Sequence, residues 1–433
     1  MSAKPLSAHH FWLLLQRCSP SLQRPWAPGL LLRVPQTKPM DYFEKISRER
    51  IGMVSFFMKQ NELIENGTIS HRGAHYLHLD TLGIVNGCID SESQTLSYAT
   101  FPHNNTYGLQ ALNESQYHSA MYEMTRPGGI ADMIKECHRL QRKLDPGDHG
   151  DSKRVADYCR MVGATIEEKM NQPYRQTGAS GWYDITHPSQ DPFPPMYGAG
   201  FLNQHWVQRA LGTPVNHTMG SSSVGEGFGM TGDMSRGGQL EDIGYILDHG
   251  VRVALMYGDR DYACNWVGGE AASLSVPYAH QDDFASAGYI PLVISPVHSG
   301  GLTRQFGNFS FTRVYQAGHM VPSYQPEVAY EIFMRAITGR DIATGKVSLE
   351  EVAAHGEQYS SKGTPDAWWM KSEILPSPPS ECYLFDTGRC SEEELKWIQD
   401  GTAIVKDWIV VGREPAKDLE WAAGEFHQQV LGT

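Results

Sequence analysis

Residues 251–266, VRVALMYGDRDYACNW, and residues 311–326, FTRVYQAGHMVPSYQP, form the pattern that decides the fold of this chain. Each stretch begins with a short apolar run, which is typical of a strand that is covered on both faces. The first run ends in a turn with two carboxylates, Asp259 and Asp261, and the second run leads to His319. The sequence therefore predicts two buried strands that each deliver a polar side chain into the turn that follows.

Helical patterns next to these strands make the predicted class α/β. Pro326 suits the first turn of a helix, and the apolar residues after it recur at helical spacing as far as Gly339. Another helix is predicted over residues 240–247, ended by Gly250, directly before the first key strand. An acid followed by a histidine is the chain order of α/β-hydrolases, in which a serine precedes both.

A family resemblance becomes specific at GDRDYACNWVGGEA, residues 258–271, and GNFSFTRVYQAGHMVPSYQP, residues 307–326. These strings resemble the fungal secreted serine carboxypeptidases, which have the α/β-hydrolase fold. Four further strings match in the same order: LGIVNGCID at 82–90, NNTYGLQALN at 104–113, WYDITHPSQDPFPP at 182–195 and FASAGYIPL at 284–292. The resemblance implies a serine-type carboxypeptidase that releases C-terminal amino acids from peptides.

The resemblance divides the chain into three parts. Residues 1–51 are unlike the family, residues 52–340 form the α/β-hydrolase region, and residues 341–433 look like a C-terminal extension. Within the middle part, residues from about 124 to 238 have the charged helices and Gly-rich loops of an insertion that covers an active site. The expected fold is the C-terminal part of an α/β-hydrolase sheet with this insertion, and with the upstream strands missing.

Three side chains take roles that the resemblance implies. His319 would take the proton of the nucleophilic serine, and Asp261 would orient the imidazole and stabilise its charged form. Asp259 is a competing acid, but the family pattern gives this role to the second aspartate of Gly-Asp-Arg-Asp. Cys264 resembles a free thiol that lines the family's substrate pocket.

The nucleophile of the family is missing from the sequence. Family members carry Trp-Asn-Gly-Gly-Pro-Gly and Gly-Glu-Ser-Tyr-Gly-Gly, and no Gly-x-Ser-x-Gly occurs in this chain. The nearest strings surround Ser180 and Ser223, and neither follows a predicted buried strand. We therefore expect the chain as written to be inactive. The alternatives are a non-catalytic remnant or a peptide-binding pseudoenzyme, and, less favoured, an acyltransferase on the same fold.

The formal net charge of the 433-residue chain is −13, which disfavours nucleic acid as a partner because the chain repels phosphate backbones. The expected partners are the C-termini of peptides or proteins. We find no His-x-x-x-His spacing and no phosphate loop, so neither a metal nor a cofactor is predicted. The sequence gives no indication of the oligomeric state.

Seven cysteines leave at least one without an intramolecular partner. The family has two nested disulfides in its insertion, and the resemblance implies that the inner pair is Cys137 with Cys159. Cys382 and Cys390 bracket a short segment and could close a small loop. Cys18 and Cys88 have no obvious partner in the sequence.

The asparagines favour a secretory history. Five of the eleven asparagines lie in Asn-x-Ser/Thr sequons: Asn66, Asn104, Asn113, Asn216 and Asn308. The first forty residues have no recognisable signal-peptide core, and no apolar run is long enough to span a membrane. The resemblance implies an extracellular or vacuolar location.

Overall fold

The structure is a computed structural model that describes residues 42–69, 76–178, 180–188, 197–218, 221–368, 370–376 and 381–414, with side chains from residue 53. Most of the predicted non-family segment 1–51, including Cys18, lies outside the described residues. The described residues form two compact units. The first takes in those up to 194 and from 220 to 375, and the second takes in those within 195–219 and beyond 375.

The first unit contains one five-stranded sheet and most of the helices. Its strands are β1 Thr81–Val85, β2 Arg252–Gly258, β3 Ile290–Ser295, β4 His298–Phe306 and β5 Phe309–Val314. The helices before β2 are α1 Tyr42–Glu65, α2 Ser91–Gln94, α3 Ser97–His103, α4 Glu114–Thr125, α5 Ile130–Leu144, α6 Lys153–Ile166 and α7 Gln172–Thr177. The next two helices, α8 Tyr197–Leu202 and α9 His205–Leu211, belong to the second unit. The following two helices before β2, α10 Ser222–Thr231 and α11 Gln239–Asp248, belong to the first unit. After β2 come α12 Trp266–Leu274, α13 Gln281–Ser286, α14 Val321–Tyr324, α15 Pro326–Ile337 and α16 Leu349–Ala354.

The strand order of the sheet is β1-β2-β5-β4-β3. The first three strands are parallel, with Leu82 opposite Val253 and Val253 opposite Phe309. β4 runs antiparallel to β5, and β3 runs antiparallel to β4. Helices pack beside this mixed sheet, so the predicted α/β class is confirmed.

Strand β2 is covered on both faces, as its apolar run predicted. Val253 and Leu255 pack into the larger apolar cluster with side chains of α11, whereas Ala254 and Met256 pack into a second cluster with side chains of α15. Side chains alternate between the faces of a strand, so these two clusters take alternate residues of β2. The sharp entry into β2 is made at Gly250, which has a φ of +81°.

The hairpin of β3 and β4 was not predicted, because its second strand carries polar side chains that look like a loop in the sequence. Thr303, Arg304 and Gln305 are nevertheless buried, and the Arg304 guanidinium donates to the Pro365 carbonyl. Tertiary contacts to backbone carbonyls supply partners that a sequence pattern does not reveal.

Residues 341–375 pack with the sheet of the first unit, although a segment boundary was predicted after residue 340. The Ser361 N–H donates to the Gln305 carbonyl at 2.9 Å, and the Tyr289 N–H donates to the Thr364 carbonyl at 2.7 Å. These backbone contacts place this stretch in the same compact unit as the strands.

The second unit contains α8, α9, α17 Glu392–Gln399, β6 Ala403–Lys406 and β7 Ile409–Arg413. A capping box formed by Ser391 and Glu394 begins α17. β6 and β7 pair antiparallel, and the chain reverses between them at Asp407 and Trp408, whose φ angles are +51° and +67°. Among the described residues, no helix combines the length and apolar character needed to cross a membrane.

Candidate active site

Three polar residues follow the carboxyl ends of three neighbouring parallel strands. Asn86 follows β1, Asp261 comes after the turn that ends β2, and His319 comes after the turn that ends β5. Parallel strands place their carboxyl ends at the same edge of a sheet, which is where ligands bind in open α/β sheets. The topology therefore gathers residues that are far apart in the sequence.

Asp261 and His319 lie in direct contact, as the sequence analysis predicted. The distance between Asp261 Oδ2 and His319 Nδ1 is 2.8 Å, and the carboxylate is fully buried while His319 is 5% exposed. Nδ1 faces Asp261, so Nε2 is the ring nitrogen that lies away from the carboxylate. The arrangement can therefore hold one imidazole tautomer and stabilise a positive charge on the ring.

Asn86 is a functional residue that the sequence reasoning missed. Its Nδ2 donates to Asp261 Oδ2 at 2.7 Å, and its Oδ1 accepts from the Gly258 N–H at 3.0 Å. The backbone of Asn86 has a φ of +44°, in the left-handed region that asparagine tolerates better than most residues. The Asn-Gly dipeptide at residues 86–87 was the available signal, and it indicates only a turn.

The two oxygens of Asp261 have different surroundings. Oδ2 accepts from His319, from Asn86 and from the Cys264 backbone N–H at 3.2 Å. Oδ1 is buried and accepts no hydrogen bond from the described residues. Oδ2 therefore accepts all the hydrogen bonds that the described residues make to this carboxylate, and Oδ1 accepts none of them.

Asp259, the competing acid, has a different set of partners. It accepts from the Tyr107 hydroxyl at 2.7 Å and forms an ion pair with the Arg313 guanidinium at 3.1 Å. Burial raises the pKa of the Asp259 carboxyl, and the Arg313 charge opposes that rise. These contacts tie the end of β2 to β5 and give Asp259 a structural place in the core.

The loop formed by residues 181–187 holds the histidine from the other side. The His319 N–H donates to the Tyr183 carbonyl at 2.9 Å, and the two rings lie 4.9 Å apart. Asp184 in the same loop forms an ion pair with Arg260 at 2.9 Å. The loop therefore connects the turn after β2 with the turn after β5.

Gly318, directly before His319, is required by this close packing. A Cβ at this position would lie 2.4 Å from the Tyr183 carbonyl oxygen and 2.7 Å from the Tyr324 hydroxyl oxygen. No side chain fits without moving one of these groups, so the glycine fixes how the histidine turn approaches the loop.

The structure corrects the expectation for Cys264 and Cys88. Cys264 was expected to be a free thiol and Cys88 to lack a partner, but the two form a disulfide with their Cα atoms 5.1 Å apart. The physical reason is that the two cysteines follow the ends of β1 and β2, which are adjacent parallel strands. The structure also contains the disulfides Cys137–Cys159 and Cys382–Cys390.

The serines named in the sequence analysis lie in different surroundings. Ser180 directly precedes Gly181, whose carbonyl accepts from the Tyr174 hydroxyl at 2.8 Å. Ser223 is exposed in the first turn of α10. Neither lies on a turn between a strand and a helix, and such a turn presents the nucleophile of α/β-hydrolases.

Four sequon asparagines are exposed, namely Asn66, Asn104, Asn113 and Asn216. Asn308 differs, because its Nδ2 donates to the carbonyls of Leu247 at 2.9 Å and Val251 at 3.0 Å. A sugar on Asn308 would replace one of the two amide hydrogens that make these bonds. The geometry is therefore open to glycosylation at four of the five predicted sites.

Comparisons with known proteins cover the part of the chain that contains β2 and β5. The family model described as serine carboxypeptidase matches residues 57–339. The chain is 41% identical to carboxypeptidase S1 homolog A of Arthroderma otae, over 92% of this chain and 64% of that protein. It is 40% identical to a carboxypeptidase Y homolog of Arthroderma benhamiae, over 84% of this chain and 58% of that protein.

The chain thus spans about three fifths of the length of these curated relatives. Among solved structures, it is similar to a prohormone-processing carboxypeptidase of Saccharomyces cerevisiae, with a TM-score of 0.45, 18% identity, and coverage of 67% of this chain and 60% of that one. Both the family match and the identities to the curated relatives extend across the strands and turns that carry Asp261 and His319. This chain belongs to the serine carboxypeptidase family.

Proposed function

We propose that this chain carries the acid–histidine half of a serine-type carboxypeptidase site, which in a complete enzyme releases C-terminal amino acids from peptides. The observation that carries the proposal is the 2.8 Å contact between Asp261 and His319 at the carboxyl ends of parallel strands. Membership of the serine carboxypeptidase family supports the reaction class, and peptide C-termini are the proposed substrates.

The roles of the two residues follow from their contacts. His319 Nδ1 donates to Asp261, so Nε2 takes the proton of an attacking hydroxyl as the tetrahedral intermediate forms. Asp261 stays ionised and stabilises the imidazolium, and Asn86 keeps the receiving oxygen in place. His319 then returns the proton to the leaving amine.

We also propose that the 433-residue chain is inactive by itself, because a base needs a nucleophile beside it. The sequence contains no Gly-x-Ser-x-Gly, and Ser55, on the helix before β1, forms a hydrogen bond with Asp242 on α11. Water attack without the family's upstream motifs would lack part of the oxyanion hole, whose donors are worth several kcal/mol. The alternative is a peptide-binding protein without catalysis, and it is also based on the lack of a Gly-x-Ser-x-Gly motif in the sequence.

The test is a peptidase assay of the purified full chain with a blocked dipeptide at acidic pH. His319→Ala removes the proposed base, and His355→Ala, at an exposed helix end, is the matched control. We expect background rates from all three proteins. Turnover that is lost in His319→Ala and kept in His355→Ala would contradict inactivity, and fluorophosphonate labelling would then identify the nucleophile, with Ser180 and Ser223 examined first.

Peptide binding separates the inactive chain from the binding alternative. Calorimetric titration with a peptide that has a free C-terminus, and with the same peptide amidated, measures whether a terminal carboxylate is recognised. Tight binding of the free form alone would support the peptide-binding alternative. We propose an extracellular or vacuolar location, which the exposed sequons and the three disulfides support.

A further inference from the structure

Three residues near the carboxyl ends of the parallel strands, Asp261, Cys264 and His319, could together bind a metal ion. The proposed hydrolysis uses Asp261 and His319 but does not use all three together. One ligand atom each from Asp261, Cys264 and His319 lie within 4.8 Å of one another, and all three residues are buried. The disulfide to Cys88 keeps the Cys264 sulfur from acting as a thiolate. The sequence analysis predicted no metal, because it found no His-x-x-x-His spacing, and Asp261 and His319 are 58 positions apart along the chain.

We propose that Asp261, Cys264 and His319 form a binding site for a zinc-class divalent ion, and that opening the Cys88–Cys264 disulfide makes the site available. Thiolate, imidazole and carboxylate together are the ligand types that zinc prefers. Three protein ligands would leave a fourth position of a tetrahedral ion open.

The distances suit an ion of this size. Bonds of about 2.0 to 2.3 Å place neighbouring ligands of a tetrahedral zinc ion roughly 3.3 to 3.8 Å apart. The three atoms within 4.8 Å of one another therefore need to move by only about an ångström to close on an ion.

An independent feature of Asp261 also points to a cation. Its Oδ1 is fully buried and accepts no hydrogen bond from the described residues. Buried carboxylate oxygens normally have a partner, and each exception needs a physical explanation. A metal ion beside Oδ1 supplies that partner while Oδ2 keeps its bonds to Asn86 and the Cys264 N–H.

The Cys88–Cys264 disulfide prevents metal binding at this site until it is reduced. A dithiol or phosphine reductant gives two electrons to the disulfide, and each sulfur takes up a proton to become a thiol. Zinc then replaces the proton of Cys264, which passes to solvent, because the thiolate is the form that binds metal. The ion would also hold a lone pair of the His319 imidazole, so it would oppose the proposed role of His319 as a base.

The test uses Co²⁺ as a spectroscopic probe in the full chain, without any reductant. Cys88→Ser frees Cys264 and leaves the other two disulfides intact, so it should bind one Co²⁺ per chain and show the visible bands of tetrahedral cobalt with thiolate ligation. The oxidised wild type should show none. Cys382→Ser, which frees Cys390 by breaking a different disulfide, is the matched control and should also show none.

Two double variants decide which residues bind. Cys88→Ser with Cys264→Ser, and Cys88→Ser with His319→Ala, should each lose the cobalt bands. A Cys88→Ser protein that binds no cobalt, or bands that survive in either double variant, would overturn the proposal. Should Cys88→Ser fail to fold, wild type treated with a phosphine and checked by thiol mass mapping takes its place in the same titration. No arm measures peptide turnover, so the outcome is independent of the proposed hydrolase function.

Discussion

At the scale of single residues, the acid–histidine pair depends on side chains that are neither acid nor histidine. Asn86 bonds both to the Asp261 carboxylate and to the Gly258 N–H, so one amide fixes the carboxylate relative to the end of β2. The absence of a side chain at Gly318 lets the next residue approach the Tyr183 carbonyl. Each of these positions leads to a measurable prediction.

Asn86 combines a side-chain role with a backbone role, and two substitutions separate them. Asn86→Gly removes the amide, which takes the acceptor from the buried Gly258 N–H and one of three donors from Asp261 Oδ2, so we expect the free energy of unfolding to fall by about 2 kcal/mol. Asn86→Ala should cost up to about 1 kcal/mol more, because alanine disfavours a φ of +44°. Urea unfolding measures both values. An alanine variant as stable as the glycine variant would show that the backbone conformation is not a constraint.

Gly318→Ala should lower the free energy of unfolding by about 2 kcal/mol, because its Cβ meets backbone and hydroxyl oxygens that cannot both move away. The matched control is Gly227→Ala in α10, where a Cβ meets nothing within 4 Å. That change should be neutral or should stabilise by up to about 1 kcal/mol, because alanine is the better helix former. Equal thermal unfolding temperatures for the two variants would contradict the close contact.

At the scale of elements, a buried ion pair holds the insertion together. Arg236, which follows α10, forms an ion pair with Asp145 at the end of α5 at 2.8 Å. Asp145 also accepts from the N–H groups of His149 and Gly150. Burial alone would raise the pKa of Asp145, but Arg236 and these N–H groups outweigh burial and lower it. The carboxylate form is thus the one that the fold stabilises.

Asp145→Asn should lower the free energy of unfolding by about 3 kcal/mol at pH 7, because it leaves Arg236 with less compensation in a buried setting. A lowered folded-state pKa contributes stability above the unfolded value of about 3.9 and loses it as pH falls through the folded pKa. The difference from wild type should therefore shrink below about pH 4.

Denaturant unfolding at several pH values tests this dependence. Asp151→Asn is the control, because it removes the same charge from an exposed position in the same loop. It should change the free energy of unfolding by less than about 0.5 kcal/mol at each pH. A loss for Asp145→Asn that stays constant down to pH 3 would contradict the lowered pKa.

At the scale of the whole molecule, the sheet works as a frame that brings distant segments to one edge. Asn86 and Asp261 are 175 positions apart in the chain, yet their side chains lie 2.7 Å apart. The apolar clusters on the two faces of β2 keep the three parallel strands in register. The proposed hydrolase site and the proposed metal site both depend on that register.

The sequence by itself determined the elements with strong local patterns. The apolar run of β2, the start of α15 at Pro326 and the capping box at Ser391 depend on neighbouring residues, so local propensity and periodicity suffice to predict them. The Asp261 and His319 contact was implied by the family resemblance, and the parallel pairing of β2 with β5 places both residues at the same edge of the sheet.

The tertiary structure alone decided the contacts that cross between segments without a local pattern. The Cys88–Cys264 disulfide, the role of Asn86 and the separate place of Asp259 all depend on which strands are neighbours and on their register. The polar strand β4 is stabilised by partners that lie far away in the chain, as Arg304 and the Pro365 carbonyl show. Burial and hydrogen-bond satisfaction are properties of the assembled fold, so they override what a short stretch of sequence favours by itself.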